Sequence, residues 1–282
     1  MDQAETLRRI RTGTADARAP RRRVRGIAVA SGKGGVGKTN IVANMALALS
    51  RKGLKVLVFD ADMGLGNIHI LLGLAPRFNA AHVLTGAKTL AEILVEGPNG
   101  IKILPASTGN RKYGELAAEE KLVLKSELEA AQDDFDYVLF DVGAGISANV
   151  MFFCSAAQDV VVIASPEPTS FSDAYALMKV LSRDYKVRTF RLVVNSCRDR
   201  AEAAGIHSRL VMVADKFAPD IRIDFLGHVA LDPAVPQAVR SQKLFSDLFP
   251  GAEASKDVAR ITDALVRTAS AGEVDWDAVF KG

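Results

Sequence analysis

The sequence predicts a doubly wound α/β fold, in which helices cover both faces of a mostly parallel β-sheet. Short apolar runs alternate with amphipathic stretches, a pattern typical of parallel strands joined by helical connections. Runs such as KVLVFD and VVVIA have no polar face, as expected for strands buried on both sides. Because aromatic residues make up only 6% of a chain that is 49% hydrophobic, we expect an aliphatic core.

The predicted elements follow one another in this alternating order. The 282 residues suffice for one large core, and their number does not require a second domain. Apolar runs predict strands at 26–30, 55–60, 101–105, 137–141, 160–165, 191–195 and 223–229. Amphipathic patterns predict helices at 38–52, 119–132, 147–156, 170–185, 201–217 and 256–268.

Residues 1–25 differ in composition and are predicted to form a flexible arm ahead of one domain at 26–282. Residues 2–11 have a short helical pattern, and residues 12–25 are small, polar and basic, with Pro20 breaking any helix. Residues 1–26 hold eight arginines and three acidic residues, a net charge of +5. Since the whole chain carries +3, the remainder carries −2 and is close to neutral.

Cys154 and Cys197 lie in apolar or strand-like runs, so we expect buried free thiols rather than a disulfide framework or a metal pair. The amino terminus lacks the apolar region of a signal peptide. No stretch reaches the roughly 18 apolar residues of a membrane span. These observations predict a cytoplasmic protein.

The segment GIAVASGKGGVGKTN at 26–40 places a glycine-rich loop between a strand and a helix. It matches the phosphate-binding pattern GxxxxGK[ST]. Backbone N–H groups of such a loop can surround phosphate oxygens, and the helix N-terminus adds its positive dipole end. Lys38 is predicted to neutralise the β- and γ-phosphates, and the Thr39 hydroxyl to bind Mg²⁺. The predicted nucleotide contacts are Gly32, Gly34, Gly35, Val36, Gly37, Lys38, Thr39 and Asn40.

Two strands are predicted to deliver carboxylates beside this loop. One ends at Asp60, with Asp62 two residues later, and the other is the run YVLF followed by Asp141. The carboxyl ends of parallel strands carry the ligands in doubly wound sheets. Asp141 can hold a Mg²⁺-bound water, and glycines after it let the backbone follow the γ-phosphate. The alternatives are a solvated turn for Asp60 and Asp62, and a helix-capping carboxylate for Asp141.

A second lysine, Lys33, makes the loop KGGVGKT, which resembles the deviant P-loop of the MinD/ParA family of ATPases. The resemblance implies a P-loop NTPase of the SIMIBI, MinD-like type, with ATP and Mg²⁺ held in a homodimer and Lys33 reaching the partner's nucleotide. Local contact between Lys33 and phosphate is the alternative. The related nitrogenase iron protein does not fit, because the loop after Asp141 has no cysteine for its cluster.

The same resemblance implies roles for residues outside the loop. Asp60 would lie near the Mg²⁺ ion, and Asp62 would orient the attacking water. Asn195, at the end of the run LVVN, would read adenine, and Pro233 would pack against the ring. The implied catalytic residues are Lys33, Lys38 and Asp62, and the implied metal residues are Thr39, Asp60 and Asp141. Asp173 would pair with Lys33 when no triphosphate is bound. Alternatively, it would only interact favourably with the dipole of its own helix.

The arm indicates which group within this family the chain resembles. Its residues Asp2, Gln3, Ala4, Leu7 and Arg8 resemble the DQA box of the FlhG family, also called FleN or YlxH. These MinD-like ATPases control flagellar number and placement. The runs GKGGVGKTN and PEPTSFSDAYALMK are also similar. The resemblance implies that residues 2–11 dock onto the GTPase FlhF and stimulate it, and that flagellar C-ring switch proteins and a flagellar transcription regulator are further partners.

The resemblance also implies peripheral association with the inner membrane or cell pole in the ATP state, through a carboxyl-terminal amphipathic helix. Residues 272–281 carry Trp276, Val279 and Phe280 on one side, but three acidic residues there would repel anionic lipid.

The sequence therefore predicts a slow, regulatory ATPase that dimerises on binding ATP and involves no specific nucleic acid. Two alternatives remain open. A ParA-like partition protein would bind DNA in an ATP-dependent manner, with the basic run at 21–25 supplying charge. A scaffold would bind ATP without hydrolysing it, although the complete set of lysines and carboxylates argues against this.

Overall fold

The structure, a computed structural model, describes residues 24–107 and 115–268, and these contain one eight-stranded sheet. The strands are β1 (Arg25–Ser31), β2 (Val56–Ala61), β3 (Val95–Glu96), β4 (Lys102–Leu104), β5 (Tyr137–Ala144), β6 (Asp159–Ala164), β7 (Thr189–Cys197) and β8 (Arg222–Ala230). Their order in the sheet is β3-β4-β2-β5-β1-β6-β7-β8. All neighbours pair in parallel except β3 with β4.

Helices connect the strands on both faces of the sheet. They are α1 (Lys38–Ser50), α2 (Ile68–Leu71), α3 (Ala80–Leu84), α4 (Leu90–Ile93), α5 (Ala118–Ala131), α6 (Ala148–Ala156), α7 (Pro168–Tyr185), α8 (Arg200–Phe217), α9 (Ala234–Arg240), α10 (Phe245–Leu248) and α11 (Glu253–Arg267). Two short 3₁₀ helices lie at Pro98–Gly100 and Gln132–Asp134.

Two mainly aliphatic cores, one on each face, hold these layers together, and the first also contains packed rings, among them Phe59, Phe140 and Phe153. Strand β1 is buried throughout, and its side chains alternate between the cores: Ala28 and Ala30 face one, Ile27 and Val29 the other. The first core receives side chains from α5, α6, α7 and α8, and the second from α1, α10 and α11. Because apolar side chains point both ways, the central strands have no polar face, as their sequence indicated.

The predicted doubly wound fold is confirmed, and all seven predicted strands and six predicted helices are present within a few residues of their expected bounds. The prediction omitted β3 and the short helices α2, α3, α4, α9 and α10. Strand β3 has only two residues, and each of these helices has seven or fewer, too few to show a clear period.

An ion cluster ties the amino-terminal edge of the sheet together. The Asp159 carboxylate accepts hydrogen bonds from the Nε atoms of Arg25 and Arg191, at 2.7 and 2.8 Å, and all three side chains are buried. Arg25 also donates to the Leu265 carbonyl at 2.8 Å and to the Thr268 hydroxyl at 3.1 Å. The start of β1 is therefore fixed to the end of α11.

Several predictions concern residues that the structure does not describe. The arm at 1–25 lies almost wholly outside the described residues, including the DQA box with Asp2, Gln3, Ala4, Leu7 and Arg8. The segment 272–281 also lies outside them. Cys154 and Cys197 are buried free thiols, as predicted. Among the residues described, no helix combines the length and apolar character needed to cross a membrane.

Candidate functional site

The glycine-rich loop joins β1 to α1 at the carboxyl edge of the sheet. Residues 32–37 form the turn, and α1 begins at Lys38, so the N-terminus of this 13-residue helix faces the loop. Gly34 and Gly35 are exposed. The sequence-predicted arrangement of strand, open loop and helix N-terminus is present, with the features that bind phosphate through backbone N–H groups.

Two glycines of the loop are required by close packing. A Cβ atom on Gly32 would lie 2.1 Å from the backbone carbon of Asp173 in α7. Gly37 has φ of 86°, in the left-handed region, and a Cβ atom there would lie 2.3 Å from Nδ2 of Asn195. The loop is thus seated against α7 on one side and against the end of β7 on the other.

Asn195 supports the last turn of the loop. Its Nδ2 atom donates a hydrogen bond to the Val36 carbonyl at 2.7 Å, so the amide lies where the loop turns into α1. Contact with adenine stays a prediction. The support of the loop backbone was not foreseen, because the two residues are 159 positions apart.

Lys38, Asp60 and Asp141 come together beneath the loop. Asp60 and Asp141 are register partners on the neighbouring strands β2 and β5, and both side chains are buried. Lys38 is also buried, and its Nζ atom lies 2.5 Å from Oδ1 of Asp141. One lysine thus faces two adjacent carboxylates, which leaves a net negative charge when all three are ionised.

Of the two carboxylates, Asp60 has the fewer groups that compensate its charge. Its Oδ2 atom accepts a hydrogen bond from the Ile68 backbone N–H at 3.2 Å, whereas Oδ1 is buried and has no hydrogen-bond partner among residues 24–107 and 115–268. Burial, and secondly the charge of Asp141, raise the pKa of Asp60 to about 8. An unpartnered buried carboxylate oxygen beside a second carboxylate is a feature that a cation would satisfy.

This arrangement fits Mg²⁺ bound together with phosphate. Within residues 24–107 and 115–268, no group of three or more His, Cys, Asp or Glu side chains could hold a metal alone. Mg²⁺ in nucleotide sites uses one or two carboxylates with substrate phosphates and waters. Asp60, Asp141 and the Thr39 hydroxyl, in the first turn of α1, would supply the protein's share.

Asp62 faces the last residues of β5, just after Asp141. It is half-buried, and a Cβ atom on Gly143 would lie 3.6 Å from its Oδ1 atom. The segments on either side expose apolar side chains, with Leu65 at 74% and Ile146 at 56% exposure. The carboxylate and an unpartnered apolar surface therefore lie at the same edge of the sheet.

Lys33 is bonded to the start of α7. Its Nζ atom pairs with the Glu167 carboxylate and donates to the Thr169 hydroxyl at 3.0 Å. The expected alternative partner, Asp173, lies further along α7, where its backbone packs against Gly32. Glu167 was missed, and its position directly after a predicted strand end was the available signal.

A cavity of about 320 Å³ opens beside the loop, within the size range of small-ligand sites. Its walls come from the loop, α1, the ends of β6 to β8, α9 and α10, and include Val36, Asn40, Ile41, Ser165, Glu167, Asn195, Val229, Val235 and Phe245. Pro233 is the residue before α9 and is not among the lining residues; Val235, two positions later, is. The role of Pro233 stays a prediction.

Comparison with known proteins places this site in a family. A family model described as an AAA domain matches residues 24–190. The antiactivator FleN of Pseudomonas aeruginosa is 38% identical over 241 residues, covering 84% of this chain and 86% of FleN. The flagellum site-determining protein YlxH of Helicobacter pylori is 33% identical over 249 residues, covering 88% of this chain and 84% of YlxH.

A solved structure agrees with the fold. The septum site-determining protein MinD of Pyrococcus horikoshii, complexed with Mg-ADP, matches with a TM-score of 0.69 and 20% identity, covering 86% of this chain and 96% of that chain. The family model spans more than half of the chain, and both flagellar relatives exceed 30% identity over most of their lengths. The chain therefore belongs to the FleN and YlxH (FlhG) group of the MinD/ParA-type P-loop ATPases.

Proposed function

We propose that this protein is an ATP-driven switch that binds Mg²⁺ and ATP, dimerises, and returns to the monomer on hydrolysis. The observation that supports this most strongly is the buried set of Lys38, Asp60 and Asp141 beneath the glycine loop, in which one Asp60 oxygen has no partner in the part of the chain that the structure describes. A divalent cation that enters with a triphosphate would give this oxygen a partner, and the phosphates would give Lys38 a new anion to contact.

Each residue of the site has a distinct task in this proposal. The loop N–H groups and Lys38 bind the β- and γ-phosphates, which requires Lys38 to leave Asp141. Thr39, Asp60 and Asp141 would hold Mg²⁺, which neutralises charge on the phosphates. Asp62 orients the attacking water, while Asn195 and the cavity beside it take the nucleoside.

Dimerisation is supported by what surrounds the site. Leu65 and Ile146 are exposed apolar side chains that a second copy would cover. Lys33, which is 37% exposed, would exchange Glu167 for phosphate of the partner's nucleotide. Because this ion pair is exposed, its net free energy is about 1 kcal/mol or less, so ATP can displace it.

Replacing Glu167 with glutamine is expected to strengthen the ATP-dependent dimer, because Lys33 then loses its anionic partner. We expect the dimer midpoint to shift to roughly two- to fivefold lower protein concentration. Sedimentation velocity with a non-hydrolysable ATP analogue measures this. Glu96→Gln is the matched control, since it removes a comparably exposed pair with Lys102 at the sheet edge. An equal shift in both variants, or none in Glu167→Gln, would contradict the role given to this pair.

The dimer is proposed to regulate flagellar number and placement; of the two relatives, YlxH is named a flagellum site-determining protein and FleN an antiactivator. The arm, through Asp2, Gln3, Ala4, Leu7 and Arg8, would stimulate an FlhF-type GTPase. C-ring switch proteins and a flagellar transcription regulator would respond to the nucleotide state. Peripheral membrane association would accompany the ATP state at the inner membrane or cell pole.

The proposal is tested by calorimetry and sedimentation of the full chain. ATP and ADP should bind in the presence of Mg²⁺, and only ATP should produce a dimer. Adding purified FlhF should form a complex that is lost when residues 1–20 are removed. No affinity for adenine nucleotides in Mg²⁺ buffer would remove the whole proposal, whereas loss of the FlhF complex alone would remove only the partner.

A further inference from the structure

Helix α9 borders the cavity at its first turn, and the residue that follows its last turn contacts α2. Its first turn is fixed by Asp232, whose carboxylate accepts hydrogen bonds from the backbone N–H groups of Ala234 at 2.8 Å and Ala254 at 3.1 Å. Val235, in the same turn, lines the cavity. The amino-terminal end of α9 therefore borders the space that a nucleoside would fill.

The other end of α9 contacts α2. Gln242 follows the helix and has φ of 52°, in the left-handed region, with the Lys243 N–H bonded to the Ala238 carbonyl at 3.1 Å. Its side-chain Nε2 atom donates to the Ile70 carbonyl at 3.1 Å. Glycine is the usual residue where a helix ends in this conformation, because a side chain is disfavoured there. A strained glutamine whose amide reaches another element suggests a role for its side chain.

Helix α2 connects this contact to Asp60. It has only four residues, and its first residue, Ile68, donates the backbone hydrogen bond to Oδ2 of Asp60. A helix of this length is not stable by itself, so its position depends on contacts from its surroundings. The hydrogen bond from Gln242 to Ile70 is one such contact, made two residues from the N–H group that holds Asp60.

We propose that Gln242 is a positioning residue, which couples occupancy of the nucleoside cavity to the placement of Asp60. Filling the cavity beside Val235 fixes α9, and the Gln242 amide then fixes α2 and with it the Ile68 N–H group. The base end of the nucleotide thereby helps to prepare the carboxylate for Mg²⁺, although it does not touch the metal. This inference rests on the proposed nucleotide site.

Two substitutions separate the amide contact from the backbone conformation. Gln242→Asn keeps an amide and a residue that tolerates the left-handed region, but its side chain is one methylene shorter. Gln242→Gly relieves the strain and removes the amide. Gln237→Asn is the matched control, because Gln237 is an exposed residue of the same helix. If contact with Ile70 matters, the two Gln242 variants should behave alike and the control like the parent.

Hydrogen exchange with and without Mg²⁺ and ADP provides a readout independent of turnover. In the parent, ADP should slow exchange both at residues 32–45, which comprise the loop and the start of α1, and in the segment at 62–74. In the Gln242 variants, we expect ADP affinity measured without Mg²⁺ to stay within about twofold of the parent, and residues 32–45 to be fully protected at saturating ADP and Mg²⁺. Protection of 62–74 should fall at least fivefold, and the Mg²⁺ concentration for half-saturation should rise by about the same factor. Without nucleotide, the Ile68 amide should also exchange faster than in the parent.

The outcomes distinguish this inference from the proposed function. Unchanged protection of 62–74 in both Gln242 variants, with ADP bound, would overturn the coupling alone. Equal loss of protection in both segments would also overturn it, since that result indicates general loosening. Failure of the parent to bind ADP would instead contradict the proposed nucleotide site, while the exchange rate of the nucleotide-free Ile68 amide still tests the contact between Gln242 and α2.

Discussion

Replacing Asp62 with alanine is expected to lower ATP turnover on the order of 100-fold or more, while ATP binding persists and the dimer accumulates. Asp62 faces the end of β5 next to Gly143, and is not part of the buried set of Lys38, Asp60 and Asp141. Losing its carboxylate removes the group that orients water but leaves the phosphate and metal contacts intact. Single-turnover hydrolysis and sedimentation with ATP measure the two effects separately.

The matched control for this prediction is Asp133→Ala, which removes an exposed carboxylate from the 3₁₀ helix at Gln132–Asp134. That variant should hydrolyse ATP at the parental rate and dissociate after turnover. Parental turnover in Asp62→Ala would exclude Asp62 from the mechanism. Loss of ATP binding in the same variant would place the residue in the binding site instead.

Replacing Asp60 with asparagine is expected to stabilise the nucleotide-free protein and to abolish its response to Mg²⁺. Burial and the charge of Asp141 raise the pKa of Asp60 to about 8, far above its value in an unfolded chain. An asparagine amide can accept from the Ile68 N–H and donate to Asp141 without the cost of a buried charge. We expect the thermal midpoint near pH 8 to rise by about 4 °C or more.

The pH dependence of stability carries a defined sign. Between about pH 4 and pH 8, the folded protein keeps a proton on Asp60 that the unfolded chain releases. The free energy of unfolding of the parent therefore falls as pH rises through this window, and Asp60→Asn should lose that part of the slope. Midpoints measured without Mg²⁺ or nucleotide at several pH values provide the test. Parallel curves for the two proteins would show that Asp60 is ionised in the folded state.

The same shift affects the binding of Mg²⁺. Because the cation requires the ionised carboxylate, protons compete with it below about pH 8. The Mg²⁺ concentration needed to stabilise the ATP complex should therefore fall as pH rises toward 8 in the parent. Asp60→Asn should show no Mg²⁺-dependent rise in its thermal midpoint at any pH in this range.

The sequence predicted the parts of this molecule that depend on local pattern. The central strands are long apolar runs, and the phosphate loop is a contiguous motif, so β1, α1 and Lys38 could be placed without a structure. Asp60 and Asp141 were also predicted to lie together. Each was predicted at the carboxyl end of a strand in the same parallel sheet, and such strands end at a common edge.

The remaining features depend on contacts between distant residues. Glu167 pairs with Lys33 across 134 positions, and Gln242 reaches Ile70 across 172. No local sequence pattern predicts either contact, because each forms only when the helices pack around the sheet. The unpartnered oxygen of Asp60 is a similar case. The sequence predicted where this carboxylate lies, but only the packed structure shows that one of its oxygens has no hydrogen-bond partner among the described residues.

The Arg25 cluster has a consequence for how the molecule can be attached to others. Arg25 begins β1 and bonds to Leu265 and Thr268, so the described domain starts and finishes at adjacent points. The phosphate loop follows the opposite end of the seven-residue β1, roughly 20 Å away. The chain therefore enters the described domain before Arg25 and leaves it after Thr268 on the side remote from the nucleotide site, so a protein that binds at these two points does not obstruct the approach of the proposed second subunit.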